Sequence, residues 1–493
     1  MNKRFFLAII LLFMVTPMAY PQFAIRKPVV PPRPADSIDI QYYSKRNGWI
    51  PAAKIFTLNM GIWAFDRYIQ KAEFAYINIH TIKKNLGHRF VWDNDQMGTN
   101  MFLHPYHGSL YYNSARSNGF NYWQSGLYAL GGSAMWELFM ENEYPSLNDV
   151  IATPIGGLVL GETLYRTSDL ILDDRRTGSH RFGRELAAFL IAPTRGLSRI
   201  ISGDAWKVRQ TTGKQFGVPE VNISLSAGVR VLELKDNIFD KGVGAAVDIN
   251  IEYGDRFADE NEKPYDYFTF KSNLNVHSSQ PLLSQLNIMG RLYVTDLVDT
   301  PKDFLSIGVY QHFDYYDSDT ISKVSNKIPY KFCTPASVGV GLMYQSKRTK
   351  RFTFDAYLHT NLVILGGALS DHYVVDMRNY NLASGFSTKA GFNTAYKDIF
   401  SISGNYEIYR MFTWKGYPQD IDWDTIDVHE FDYQGDHSQA ILHAVSLRAD
   451  LKLRKHLYLS GIYYNYTRDT NYKYFDDVFS NTSEGRLMLT YKF

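Results

Sequence analysis

Seven side chains in the first half of the chain are of types that bind, donate protons or attack: His104, His107, Ser133, Glu137, Glu141, Asp149 and Glu162. On a helix, Glu137 and Glu141 stand one turn apart on one face with Ser133 one turn before them, and His104 and His107 share a face at i and i+3. Two carboxylates and two imidazoles are a donor set for a divalent metal, which Asp149 or Glu162 can complete. No tight metal signature such as HExxH is present, however, so no metal is assigned and the cofactor is left unknown. The same residues also spell an acyl-transfer centre acting on lipid, with Ser133 or Ser109 as nucleophile, His104 or His107 as base and a carboxylate as orienter. Neither serine sits in a Gly-x-Ser-x-Gly elbow, and a triad is defined by geometry rather than spacing. A third reading needs no chemistry. Buried charges must be paired, so Arg116, Arg166 and Arg184 would join Glu137, Glu141 and Glu162 to dock helices together.

The elements that must carry these residues are helical. From 101 to 205 the apolar period is that of a helix, with helices expected near 105–117, 121–142, 146–171 and 181–201. Ser146 can cap the third of these, with Asp149 three residues on. Gly131, Gly132, Gly156, Gly157 and Gly161 lie inside the helices and would permit close approach. Residues 55–100 have no clear period and are left unassigned.

Five motifs follow in fixed order: His104-Pro-Tyr-His107-Gly, Tyr112-Asn-Ser-Ala-Arg116, Ser133-Ala-Met-Trp136-Glu137 with Glu141, Pro145-Ser-Leu-Asn-Asp149, and Gly156-Gly157 with Gly161-Glu162. Together they resemble a domain-of-unknown-function family of outer-membrane barrel proteins, over roughly residues 90–205. The resemblance implies location and architecture and brings no activity with it. Trp136 and Arg116 join Glu141, Asp149, Glu162 and Arg166 as structural or binding candidates.

Beyond residue 219 every second residue is apolar. Val221, Ile223, Leu225, Val229 and Val231 share one face of a strand, against Asn222, Ser224, Ser226 and Arg230. About twelve such strands are expected, near 219–233, 242–254, 265–277, 284–297, 303–315, 333–346, 351–363, 383–396, 398–412, 438–454, 456–467 and 485–493. Long connections near 316–332, 364–382, 413–437 and 468–484 alternate with short ones, as the outer loops and periplasmic turns of a membrane barrel do. The connection near 255–264 is longer than that rule allows. The last residues place Leu487, Leu489, Tyr491 and Phe493 on one face, like the C-terminal signal by which outer-membrane barrels are recognised for assembly.

The whole-chain numbers agree. Residues 1–22 have a basic start, a short apolar run and a small-residue exit, the pattern of a secretory signal peptide. Without them 50 basic residues face 50 acidic ones, so the footprint of a nucleic-acid binder is missing. Residues 23–54 read as a Pro-rich linker. The single cysteine, Cys333, rules out an intrachain disulfide.

The preferred expectation is thus an outer-membrane β-barrel over 219–493, preceded by a helical module that plugs the lumen or covers its periplasmic end. It would act as a structural envelope component or restricted transporter, with outer-membrane lipids and the barrel-assembly machinery as partners. The competing expectation is a lipid-modifying enzyme centred on His104 and Glu137; a soluble periplasmic β-rich binder is a third.

Overall fold

The computed structural model describes residues 47–234, 243–258, 263–276, 280–318, 328–347, 349, 351–423 and 432–493. The signal segment and the linker up to residue 46 lie outside the described residues. The chain divides into two compact units: a helical unit, and a barrel unit that also takes in Val91–Phe102.

The helical unit contains α1 (Trp49–Phe65), α2 (Ile79–Gly87), α3 (His104–Arg116), α4 (Tyr122–Phe139), α5 (Leu147–Ile171), α6 (Gly178–Ile191) and α7 (Pro193–Ser202). Asn78 and Asn121 cap α2 and α4 by reciprocal capping boxes, and Ser146 accepts from the Asp149 amide at 3.2 Å to cap α5. Two expectations need correction. The helix expected over 181–201 is two helices, broken at Ala192 and restarted by Pro193, whose missing N–H costs nothing at a helix start. The linker expected to reach residue 54 ends earlier, because α1 begins at Trp49. That helix exposes Trp49, Ile50, Phe56 and Phe65, so its apolar residues form no single stripe and its period is masked. No described helix is long and apolar enough to cross a membrane.

The second unit is a closed antiparallel barrel of twelve strands: β1 (Val221–Leu234), β2 (Val243–Tyr253), β3 (Phe268–Val276), β4 (Leu283–Asp299), β5 (Asp303–Asp317), β6 (Lys331–Ser346), β7 (Phe352–Leu369), β8 (Tyr380–Tyr396), β9 (Phe400–Phe412), β10 (Ser438–Lys452), β11 (Leu457–Tyr472) and β12 (Val478–Lys492). Each strand pairs with its sequence neighbours, and β1 closes on β12 from Ser224 opposite Lys492 to Leu234 opposite Thr482. The strand expected to begin at 485 begins at Val478. Its first turns, Ser480 to Glu484, show no apolar alternation because a strand that outruns the bilayer need not be apolar outside.

Strand parity sorts the side chains. Leu225, Val229, Leu358, Leu362, Leu447, Leu487 and Leu489 project outward and are exposed, whereas Ser226, Arg230, Asp248, Arg486 and Thr490 project inward and are buried. At the short-turn end, Phe352 and Tyr396 sit 4.9 Å apart and Tyr491 and Phe493 4.8 Å apart, an aromatic rim. A closed cylinder that is apolar outside and polar inside is the architecture of the outer membrane, and that is where this chain belongs.

One part of the wall departs from parity. Phe313, Tyr315, Cys333 and Tyr380 point outward near the long-loop end but are buried. Residues 91–102 cover them from outside: Phe102 lies 6.5 Å from Phe313 and 6.2 Å from Tyr315, Cys333 Sγ donates to the Met101 carbonyl at 3.6 Å, and Asn100 Nδ2 donates to the Tyr380 hydroxyl at 2.8 Å. Arg378 anchors the same strap by donating to the Asp93 carbonyl at 2.8 Å.

Leu447, outward on β10, tests the lipid-facing assignment. Leu447→Arg is expected to destabilise the barrel by about 2–4 kcal/mol if it lies near the midplane, read by urea unfolding in lipid vesicles; an unchanged midpoint would remove it from lipid.

Candidate functional site

In the helical unit, two glycines set the geometry. A Cβ on Gly108 would stand 1.9 Å from the Thr153 carbonyl oxygen, and one on Gly157 would stand 2.6 Å from the Gly108 carbonyl carbon. Only hydrogen fits at either place, so α3 and α5 touch backbone to backbone. Contacts advance in step along both helices, from His104 with Asp149 through Gly108 with Thr153 to Tyr112 with Glu162. The two helices therefore run the same way, and α4 returns antiparallel against α3, with Trp136 beside His107 and Gly132 beside Tyr111. Gly131, expected at a close approach, meets open space.

This crossing gathers His104, Glu137 and Asp149, whose ligating atoms all lie within 4.8 Å of one another. His104 Nε2 stands 3.8 Å from Asp149 Oδ1. Glu137 accepts from the Ser146 amide at 2.8 Å, and Asp149 Oδ1 accepts from Asn148 Nδ2 at 3.0 Å. The serines are engaged elsewhere: Ser133 Oγ donates to the Asp149 carbonyl at 3.3 Å, and Ser109 Oγ to the Tyr106 carbonyl at 2.6 Å. His107 is enclosed by Tyr111 and Trp136, with ring centroids 4.5 and 5.2 Å away. Burial, helped by His104, pushes its pKa down to about 3, so it is neutral at physiological pH. Glu141 lies past the end of α4, where its carbonyl accepts from Asn85 Nδ2 at 2.9 Å.

Glu162 is the centre of a separate group. It accepts from Arg116 Nε at 2.8 Å and NH2 at 3.0 Å, from Arg166 Nε at 2.8 Å and from the Tyr112 hydroxyl at 2.7 Å, all without solvent access to the carboxylate. Burial alone would raise its pKa, but the two guanidinium groups hold it down at about 2. Arg184 instead donates to the Ile171 carbonyl at 2.8 Å, closing the end of α5. Further pairs were not foreseen from sequence: Arg195 with Asp169, and Arg181 and Arg199 with Asp174.

The barrel lumen is the second candidate site, and beyond the polar strand faces no sequence signal pointed to its layout. A cavity of about 460 Å³ runs inward from the short-turn end, lined by Lys271, Asp355, Glu407, Arg448 and Asp450 among others. Arg256, just past β2, reaches in to bond Glu252 at 2.7 Å and Asp355 at 2.6 Å. Towards the long-loop end the lumen fills. Tyr316, Tyr330, Phe332, Tyr409 and Tyr466 form a buried aromatic layer, with Tyr330 stacked on Tyr466 at 4.4 Å. The Tyr316 hydroxyl donates to Glu407 at 2.8 Å, and Lys389 bridges Asp314 and Glu407. Above it Arg468 grips Asp371 at 2.6 and 2.8 Å and the Pro329 carbonyl at 2.9 Å.

Residues 89–194 match a family described as a domain of unknown function, DUF3943, which holds all five motifs. No curated protein matches the chain. Among solved structures, the NanC porin is 11% identical with a TM-score of 0.26, covering 55% of this chain and 100% of its own. The toluene transporter TodX of Pseudomonas putida is 11% identical with a TM-score of 0.21, covering 56% and 90%. The outer membrane channel DcaP of Acinetobacter baumannii is 11% identical with a TM-score of 0.23, covering 56% and 96%. At these scores the likenesses carry no inference about what passes through this barrel.

Glu162→Gln leaves two buried guanidinium groups uncompensated and is expected to cost roughly 3–5 kcal/mol, read by thermal melting of the folded protein in detergent. Because the folded-state pKa is depressed, the wild-type contribution is full above the ordinary carboxyl value of 4.5 and is lost as pH falls towards about 2. The variant should therefore lose part of the wild type's acid sensitivity over that window.

Proposed function

We propose that this outer-membrane barrel is a restricted transporter held shut by its own lumen side chains. The observation that carries the reading is the change of character along the lumen: a solvated polar cavity at the short-turn end, and a dry aromatic and ionic layer towards the long-loop end. Closure of this kind is made by side chains of the wall itself, with or without a helical plug. Cations and anions alternate in the cavity, with Lys271 and Arg448 against Asp355, Glu407 and Asp450, which suits small polar or zwitterionic solutes better than a solute of one charge. Passage requires the tyrosines to move. Tyr316 and Tyr409 share an acceptor, Glu407, so displacing that one carboxylate loosens both, with Asn287 Nδ2 still donating to the Tyr316 hydroxyl at 2.9 Å.

A second reading, a lipid-modifying enzyme centred on His104 and Glu137, is supported by the convergence of those residues with Asp149. Alanine at His104 or Glu137 separates the two: an enzyme keeps a heat-resistant barrel and alters lipid composition, whereas a structural role loses assembly.

The transport reading is tested in planar lipid bilayers. Wild type should conduct rarely, and Tyr316→Ala with Tyr466→Ala should raise the frequency and size of openings several-fold. A double variant that keeps its heat-modifiable mobility on gels and stays silent refutes the gate.

A further inference from the structure

The last two helices of the helical unit keep their charged and apolar sides apart. On α6, Phe182, Leu186 and Phe189 recur at i, i+4 and i+7, and on α7 Leu197, Ile200 and Ile201 recur at i, i+3 and i+4. Gly196 lets the pair approach, since a Cβ there would stand 2.6 Å from the Phe189 Cα. The charged side is the buried one. Arg181 and Arg199 both bond Asp174 and Glu185, and Arg181 also donates to the Asp204 and Ala205 carbonyls.

The apolar side is therefore the outer one, the reverse of a helix pair that faces water. Phe182 is 60% exposed, Trp206 66% and Ile201 69%. Phe182 and Trp206 line one groove of about 490 Å³ together with Leu186, Phe189, Ile200 and Val208. A contiguous exposed apolar patch marks a contact with a membrane or with another protein.

Two observations select the membrane. The first is continuity. Twelve residues separate Val208 from the start of β1 at Val221, and β1 starts at the aromatic rim, where the Phe493 amide donates to the Ile223 carbonyl at 2.9 Å. Such a rim sits at the bilayer interface, here on the short-turn side. The second is charge. Residues 172–218 hold nine Lys or Arg against four Asp or Glu, a net of +5, in a chain whose whole net charge is +2. Arg176 lines the groove half exposed, and Lys207 is exposed between Trp206 and Val208. Basic residues bordering a Trp, Phe and Leu face are the mark of helices that lie in the interface of an anionic bilayer.

We propose that the α6–α7 groove docks on the bilayer surface at the short-turn side of the barrel. Acyl chains of anionic phospholipids meet Phe182, Leu186, Ile200 and Trp206, and their phosphates meet Arg176 and Lys207. The inference rests on the outer-membrane location and is independent of whether the barrel transports.

The experiment uses the full chain in vesicles of phosphatidylglycerol and phosphatidylethanolamine with brominated acyl chains, which quench only the fluorophores they touch. In a Cys333→Ala background, a bimane label on Ile200→Cys is expected to lose most of its emission relative to unbrominated vesicles of the same composition. Without any label, Trp206→Phe should remove part of the tryptophan quenching seen in wild type. Arg176→Glu with Lys207→Glu should weaken the quenching of the bimane, as should brominated phosphatidylcholine in place of the anionic mixture, with the heat-modifiable mobility of the barrel unchanged. A bimane that keeps its emission in brominated vesicles overturns the docking. So does unlabelled Ile200→Cys that oxidises to a disulfide-linked dimer, since a second copy then covers this face. Quenching that is equal in anionic and zwitterionic vesicles overturns the preference for anionic lipid.

Discussion

A bilayer offers no water to the peptide backbone, so every amide in the membrane must be bonded within the protein. In this chain the pairing of β1 with β12 meets that requirement, since an open sheet would leave two edges of unpaired N–H and C=O groups in hydrocarbon. Closure also fixes the two chemistries of the wall. Once the ladder is continuous, each residue is committed by parity to lipid or to lumen. The apolar set Leu225, Leu447, Leu487 and the polar set Ser226, Arg448, Arg486 are consequences of the same constraint.

A lumen twelve strands wide must then be filled or left wet, and this one does both. Arg230 and Arg486 stand opposite each other across β1 and β12, a like-charge pair that is unfavourable by itself. Glu484 accepts from both, and Asp248 takes the second face of Arg486, so the repulsion becomes a network. The tyrosines are suited to the same place because each fills volume with its ring and satisfies a charge with its hydroxyl. Strength of this kind is conditional. Removing one partner leaves a buried charge, so the layer is either fully assembled or costly.

The helical unit uses buried charge for a different end. Its ion pairs join helices that run together closely, and the closeness depends on Gly108 and Gly157 having no side chain. The same crossing that seats Glu162 against Arg116 at one end brings His104 to Asp149 at the other. The strap at 91–102 shows a related economy, replacing lipid with Met101 and Phe102 over outward positions that parity alone assigns to the membrane.

The twelve strands, the loop alternation and the aromatic C-terminal strand were legible in the amino-acid order because a strand's two faces are set by a local period of two, written residue by residue. The helix start at Ser146 was legible for a similar reason, since a cap lies within three residues of what it caps. The break at Pro193 and the apolar-all-round helix at Trp49–Phe65 defeated periodicity. The meeting of His104, Glu137 and Asp149, the packing of Tyr316 against Tyr466 inside the barrel, and the strap on the outer wall belong to the tertiary structure alone. They join residues 33, 150 and more than 200 positions apart, as with His104 and Glu137, Tyr316 and Tyr466, and Met101 and Cys333. Such distances are closed by helix crossing and sheet closure, which no short window of sequence encodes.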